Sequence, residues 1–253
     1  MRREIYELKL NCVLKSKKEI KDAIQNLKRL DLPPHPHYVK SWDTWKIINF
    51  IKTHGCEDSK ILDVGCNGSP VLPYLHELGF KNLYGCDLNL KSRKPLYLLK
   101  IASLVGYKKL KPLIKMFENK NGFFNLEKQN LEYTNYRSNS FDFISSLSVI
   151  EHGINIERYF SEMNRILKKN GYLLTSTDYW PEKILSRSNV YRTKGHDVIY
   201  DKTEIQDIIK TALDKGFELY EPVNFDHKDR VVYWKKTGNR YTFIFFGLKN
   251  RKD

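Results

Sequence analysis

The chain of 253 residues is 41% hydrophobic and 29% charged, a balance suited to a globular domain that buries about three-quarters of its unfolded surface and unlike that of a disordered segment. Its four cysteines, Cys12, Cys56, Cys66 and Cys86, form no CxxC pair and no zinc spacing, and no apolar run approaches the ~20 residues of a membrane span. A metal site, a disulfide framework and a spanning helix are therefore not expected, and the basic N-terminus lacks the apolar core of a signal peptide, so a cytoplasmic location is expected. The net charge of +14 is spread over scattered lysines without an arginine-rich tract; it reads first as a solvated surface and second as a basic face for a phosphate-bearing partner.

From Arg3 to Leu30 apolar residues such as Ile5, Leu8, Leu10, Val13, Ile20, Ile24 and Leu27 recur at mostly helical spacing, which predicts an N-terminal helical extension within residues 1–40. The prolines of Leu32-Pro-Pro-His-Pro-His37 end it, because proline removes an amide donor and restricts the residue before it. Ser41 is expected to cap a second helix, with Trp42, Trp45, Ile48 and Ile51 on one face, opening the main domain over 41–253. From Lys60 short apolar runs alternate with amphipathic stretches, the mark of an α/β sheet. Strands are expected at Ile61–Val64, Leu83–Asp87, Phe123–Glu127, Phe141–Ser146, Tyr172–Thr177, Phe217–Glu221 and Tyr241–Leu248. The last follows a hairpin turn at Lys236–Asn239 and is expected to run antiparallel to the sixth. Residues 91–121 read as two basic amphipathic helices inserted between the second and third strands. Residues 178–203, with Trp180, Tyr191, His196 and Tyr200, read as a long binding loop or lid.

In Lys60-Ile-Leu-Asp-Val-Gly-Cys-Asn-Gly-Ser-Pro70 an apolar strand runs into an acid and then a glycine turn before a helix. Glycines allow positive φ and close approach of the backbone to a ligand, and a helix N-terminus adds unpaired N–H groups, so this stretch predicts a nucleotide cradle. Roughly twenty residues on, Leu83-Tyr-Gly-Cys-Asp-Leu88 is a second strand ending in an acid, where Asp87 can accept both hydrogen bonds of a ribose diol. Cys66 and Cys86 flank this region as small buried fillers, since no base pattern activates either.

These residues resemble the class I S-adenosylmethionine-dependent methyltransferases, in particular their small-molecule, type 11-like branch. That branch has Asp-x-Gly-Cys-Gly-x-Gly where this chain has Asp63-Val-Gly-Cys-Asn-Gly-Ser69, so Gly65 matches while Asn67 and Ser69 replace glycines. The resemblance continues through Asp87 and through Gln129-Asn-Leu131, with Asn130 in place of an acid near the adenine amino group. It extends to Asn139–His152, which is similar to the family's Phe-Asp strand and Leu-Glu-His segment. Arg165–Leu174 is similar to its helix, Lys-Pro-Gly-Gly turn and strand, with Asn170 replacing a glycine. The resemblance covers about Lys60 to Asp178 and implies a Rossmann-like αβα sandwich of seven strands, mostly parallel with an antiparallel last strand. It also implies S-adenosyl-L-methionine as cofactor, held by Asp63, Gly65, Cys66, Asn67, Gly68, Asp87, Leu88, Asn130, Leu131 and Ser146. The implied reaction is methyl transfer to an O or N atom of a small molecule or sugar-containing metabolite.

His152 follows the fourth strand at the carboxyl edge of the sheet and is a candidate general base, with a structural or cofactor-side role as the alternative. Asp178, with Tyr179 and Trp180, is a candidate for orienting the acceptor, with closure of a core edge as the alternative. His35 and His37 are candidates to sit over the cofactor, and His196 and Asp197 for a lid. Methylation of a nucleic acid is the rival function, motivated by the basic charge and opposed by the lack of an Asn-Pro-Pro-Tyr-type motif after the fourth strand. An inactive cofactor-binding scaffold is the third reading.

Overall fold

A computed structural model of the chain describes residues 9–90, 124–184, 198–235 and 237–252. The inserted segment 91–121, Tyr191, His196 and Asp197 lie outside the described residues. Four strands, β2 (Lys60–Val64), β3 (Asn82–Asp87), β4 (Phe124–Lys128) and β5 (Phe141–Leu147), pair in parallel, and β5 pairs in parallel with β6 (Leu167–Tyr179). The long strand β9 (Asn239–Asn250) runs antiparallel to β6 and closes the order β9-β6-β5-β2-β3-β4. All seven expected strands are present, and β7 (Phe217–Leu219) pairs antiparallel with β9 as the hairpin reading required.

Nine strands are found among the described residues, two more than expected. β8 (Val232–Trp234) is the first arm of the hairpin into β9, and β1 (Cys12–Val13) pairs with β9 at Phe245 and Ile244. Among the described residues, which start at Lys9, the helix expected from Arg3 to Leu30 is accordingly found only from Lys17, as α1 (Lys17–Arg29). The physical reason is Asn11. Its side chain donates to the Glu221 carbonyl at 2.6 Å and accepts the Gly247 N–H at 2.7 Å, so this stretch satisfies its polar groups against β9 and not within a helix.

The helix α2 (Ser41–His54) follows without a break from a 3₁₀ turn at Tyr38–Lys40, which makes Lys40 its N-cap. Ser41 is therefore not the cap that the sequence suggests. Its hydroxyl is buried and accepts the His35 N–H at 3.0 Å. Three more helices complete the described structure: α3 (Val71–Glu77), α4 (Ile156–Ile166) and α5 (Lys202–Asp214), the last opened by a reciprocal capping box of Asp201 and Glu204.

Alternation along the strands divides the core into two layers. Ile61, Leu174, Phe243 and Phe245 pack with α1, α2 and α3, whereas Leu62, Val64, Leu173, Ile244 and Phe246 pack with α4 and α5. Because β9 is buried on both faces, its sequence is continuously apolar and does not alternate. Leu14, Ile20, Ala23 and Leu27 of the N-terminal segment belong to the same core as Trp42, Ile48 and Ile51 of α2.

Candidate active site

From β2 the chain moves outward to β3 and β4, then crosses back to place β5 on the other side of β2. In an open α/β sheet such a reversal leaves a crevice at the carboxyl ends of the strands. A cavity of about 660 Å³ lies there, lined by the segments that follow β2, β3, β4 and β5 and by residues 35–40 of the N-terminal segment.

The loop after β2 bends through Gly65 (φ 67°) and Gly68 (φ 97°), both in the left-handed region that a side chain disfavours. A Cβ on Gly65 would stand 2.6 Å from Val149 Cγ2, so the glycine is also required by the close passage of the segment after β5. Ser69 Oγ accepts the Val71 N–H at 3.2 Å and helps start α3. Asp87, at the end of β3, accepts the Asn67 N–H at 3.3 Å on one oxygen and the Asn89 N–H at 2.8 Å on the other. These bonds hold the two strand-end loops together and fix the carboxylate at the cavity wall.

Asp63 lies below the glycine loop, fully buried, and accepts a hydrogen bond from Ser145 Oγ at 2.7 Å. Its second oxygen, Oδ2, is buried without a hydrogen-bond partner. Burial pushes the acid up to about 7; the Ser145 and Ser69 hydroxyls oppose the shift and the charge of Asp87 adds to it. Cys66 and Cys86 are buried beside it and their thiols are shifted upward, chiefly by burial, as expected for inert packing groups.

Of the sequence candidates, Gly65, Asn67, Gly68, Asp87, Leu88, Asn130, Leu131 and His152 are brought together around the cavity. Four lie elsewhere. Asp63 and Cys66 sit beneath the loop, and Ser146 is fully buried, where its Oγ accepts the hydroxyl of Tyr159 from α4 at 2.9 Å. Asp178 does not line this cavity: it is a buried strand residue opposite Phe243, and its carbonyl accepts the Tyr200 N–H. Tyr179 and Trp180 after it are core residues, with the Arg230 guanidinium 4.3 Å from the Trp180 ring centre. Asn130 Oδ1 accepts the Glu132 N–H at 2.9 Å, an Asx turn that leaves one lone pair and the amide N–H groups for a ligand.

Lys40 and Ser148, which the sequence did not single out, also line the wall. Ser148 follows β5 with φ 53°, a strained conformation for a serine, and its hydroxyl accepts from Lys40 Nζ. Lys40 Nζ also lies 3.9 Å from Asp43 Oδ2 and 4.6 Å from the Phe243 ring centre. Asp43 is fully buried, bonded by Ser176 Oγ at 2.9 Å; burial raises it to about 6 against the opposing charge of Lys40. Glu151, also buried, accepts from Thr177 Oγ1 at 3.0 Å, and its acid is raised by burial while Lys40 and His152 counter the shift. Lys40 and Asp43 meet locally, three residues apart, whereas their approach to Ser148 and Glu151 depends on the fold.

The family model described as a methyltransferase domain matches residues 46–221. The chain belongs to that family. No curated protein matches the sequence. Among solved structures, an S-adenosylmethionine-dependent methyltransferase from Methanosarcina mazei is 16% identical at a TM-score of 0.54, with 81% of this chain and 98% of that one covered. A phosphoethanolamine N-methyltransferase from Haemonchus contortus, in complex with S-adenosyl-L-methionine, is 16% identical at 0.52, with 82% and 52% covered. The [4+2]-cyclase SpnF is 12% identical at 0.57, with 93% and 95% covered. At these identities the likeness is one of fold, and it agrees with the class I S-adenosylmethionine-dependent fold read from the motifs. The residues of this methyltransferase domain fit that cofactor. The positive-φ glycine loop makes room for a ligand backbone, Asp87 suits a ribose diol, and the orphaned buried Oδ2 of Asp63 suits an ammonium. Among the described residues no group of three or more metal-ligating side chains is found, and no helix is long and apolar enough to cross a membrane.

Proposed function

We propose that this methyltransferase transfers a methyl group from S-adenosylmethionine to an oxygen or nitrogen atom of a small molecule or sugar-containing metabolite. The observation that carries this reading is the single cavity that unites the loops after β2, β3 and β4 with His152 on the segment after β5. Its volume of about 660 Å³ is within the range of small-ligand sites, which supports a small acceptor over a polymer. When bound, the cofactor supplies an electrophilic methyl group on sulfur. Asp87 would hold the ribose, Asn130 and Leu131 would border the adenine, and the backbone of Gly65, Asn67 and Gly68 would meet the methionine half. The unbonded Oδ2 of Asp63 would be the acceptor for the methionine ammonium. His152 is exposed to the cavity and takes the proton from the acceptor atom as the methyl group arrives. Positioning of the acceptor supplies the remainder of the acceleration.

Calorimetry and product mass spectrometry test this. Asp87→Ala is expected to weaken S-adenosylmethionine binding about tenfold or more, since hydrogen bonds to a charged acceptor are lost. His152→Ala is expected to keep cofactor affinity and to lower turnover about a hundredfold. A His152→Ala enzyme with undiminished turnover removes the general base from the scheme. The charge of +14 keeps a nucleic-acid acceptor in view. Tight RNA binding whose affinity falls steeply with salt would favour it over the small molecule. The cyclase among the fold relatives makes product analysis essential, because the fold does not by itself specify methyl transfer.

A further inference from the structure

Residues 33–40 form a strap pinned at two points. The Pro34 carbonyl accepts the Tyr74 hydroxyl of α3 at 3.2 Å, and Lys40 Nζ donates to Ser148 beyond β5. Since β2 lies beside β5 and leads through its loop into α3, a strap held at these ends borders the glycine loop. His35, His37 and Lys40 line the cavity from it.

His35 is 6% exposed. Its N–H donates to Ser41 Oγ at 3.0 Å, and its Nδ1 accepts the His37 N–H at 2.9 Å. Burial foremost, then the charges of Lys40 and His37, push the ring down to about 3, so it is neutral at physiological pH. A neutral imidazole whose Nδ1 is an acceptor carries its proton on Nε2. The tautomer is thereby set by the strap's own backbone. Among the described residues no hydrogen bond from Nε2–H is found, and because His35 lines the cavity this donor is left for a ligand there. The side chains that act on His35 electrostatically are both basic, so the potential at the ring favours a negatively charged acceptor.

We propose that His35 is an oxyanion ligand of the cavity, donating from Nε2–H to a carboxylate or phosphate oxygen with the Lys40 ammonium as the nearby countercharge. The oxyanion belongs either to the methionine half of the cofactor or to the acceptor. The inference rests on the reading of the cavity as a cofactor and acceptor site.

Calorimetry on the full chain separates the sources. The probes are S-adenosylhomocysteine and 5′-methylthioadenosine, which share adenine and ribose while only the first carries a carboxylate. If the cofactor is the source, His35→Ala weakens S-adenosylhomocysteine about tenfold, the loss of one hydrogen bond to a charged group, and leaves methylthioadenosine unchanged. His35→Gln, whose amide can donate from a similar place, recovers most of the loss. If the acceptor is the source, both nucleosides keep their affinity in His35→Ala. Inorganic phosphate then raises the melting temperature of the S-adenosylhomocysteine-loaded wild type and not of the variant. Equal weakening of both nucleosides overturns the proposal in favour of a packing role, and so does an unchanged pair with no phosphate response. If the wild type binds neither nucleoside, the cofactor reading itself falls and takes this inference with it.

Discussion

Asp63 shows how a residue can be legible by type and illegible by state. The strand-acid-glycine pattern marks it as a candidate for the cofactor cradle, but its burial and its bond to Ser145 depend on β5 lying beside β2. With its folded value near 7 against an ordinary 3.8, the acid is protonated in the ligand-free protein below neutrality. The raised value means that this site contributes stability at low pH that is lost as pH rises through about 7. Asp63→Asn is expected to flatten that decline in urea denaturation measured from pH 5 to 8. An ammonium against Oδ2 favours the carboxylate, so cofactor binding is expected to release a proton below pH 7 and to tighten as pH rises to that point. Calorimetry at pH 6 in buffers of different ionisation enthalpy reads the proton directly; an Asp63→Asn variant is expected to release none. The same residue scale explains why Asp178 misleads. Its place after the fifth parallel strand is right for a site, but β6 continues through Tyr179 in pairing with β9 and keeps Asp178 inside the sheet.

At the scale of elements, the alternation of apolar runs and helices marked every long strand, and β6 and β9 differ from expectation mainly in being longer. Asn170, read as a replacement for a turn glycine, adopts φ 63°, a left-handed conformation that asparagine tolerates better than most residues. Short elements were not legible. A two-residue strand such as β1 has no period of its own, and its apolar spacing blends into that of the helix that follows. Its bonds to β9 and to Glu221 distinguish it. Asn11→Ala is expected to destabilise the fold by about 2 kcal/mol, because it strips buried partners from the Gly247 N–H and the Glu221 carbonyl. Hydrogen exchange is expected to show the loss concentrated at residues 11–14 and at the facing part of β9. A uniform loss across the sheet would contradict this assignment.

For the whole molecule, the N-terminal segment closes both the core and the cavity. Its α1 shares a layer with α2, Lys46 Nζ donates to the carbonyls of Lys9 and Leu10, and the strap carries His35 and Lys40 to the site. Although a boundary near residue 40 follows from the run of prolines, we propose that residues 41–253 do not form an independent unit. A chain begun at Ser41 is expected to lose near-ultraviolet dichroism and cooperative melting while keeping much of its helical signal, since Trp42, Ile48 and Ile51 lose their apolar cover. A truncated protein with a sharp transition and full cofactor affinity would refute it.

By itself the sequence determined the alternating α/β class and marked the glycine loop and the strand-end acid that we propose hold the cofactor, because each rests on local chemistry: strand periodicity, glycine at positive φ, and an acid at a strand end. Only the tertiary structure decided which residues meet across the cavity. Lys40 and Asp43 lie on one segment and Ser148 and Glu151 on another more than a hundred residues away, and the docking of the N-terminal strap against the ends of β5 and β6 brings the two pairs into one network. Packing also sets the state of the groups, since burial raises Asp63 and Asp43 and makes His35 a neutral donor. Residue type is written locally in the chain, whereas solvent exclusion is a property of the packed whole.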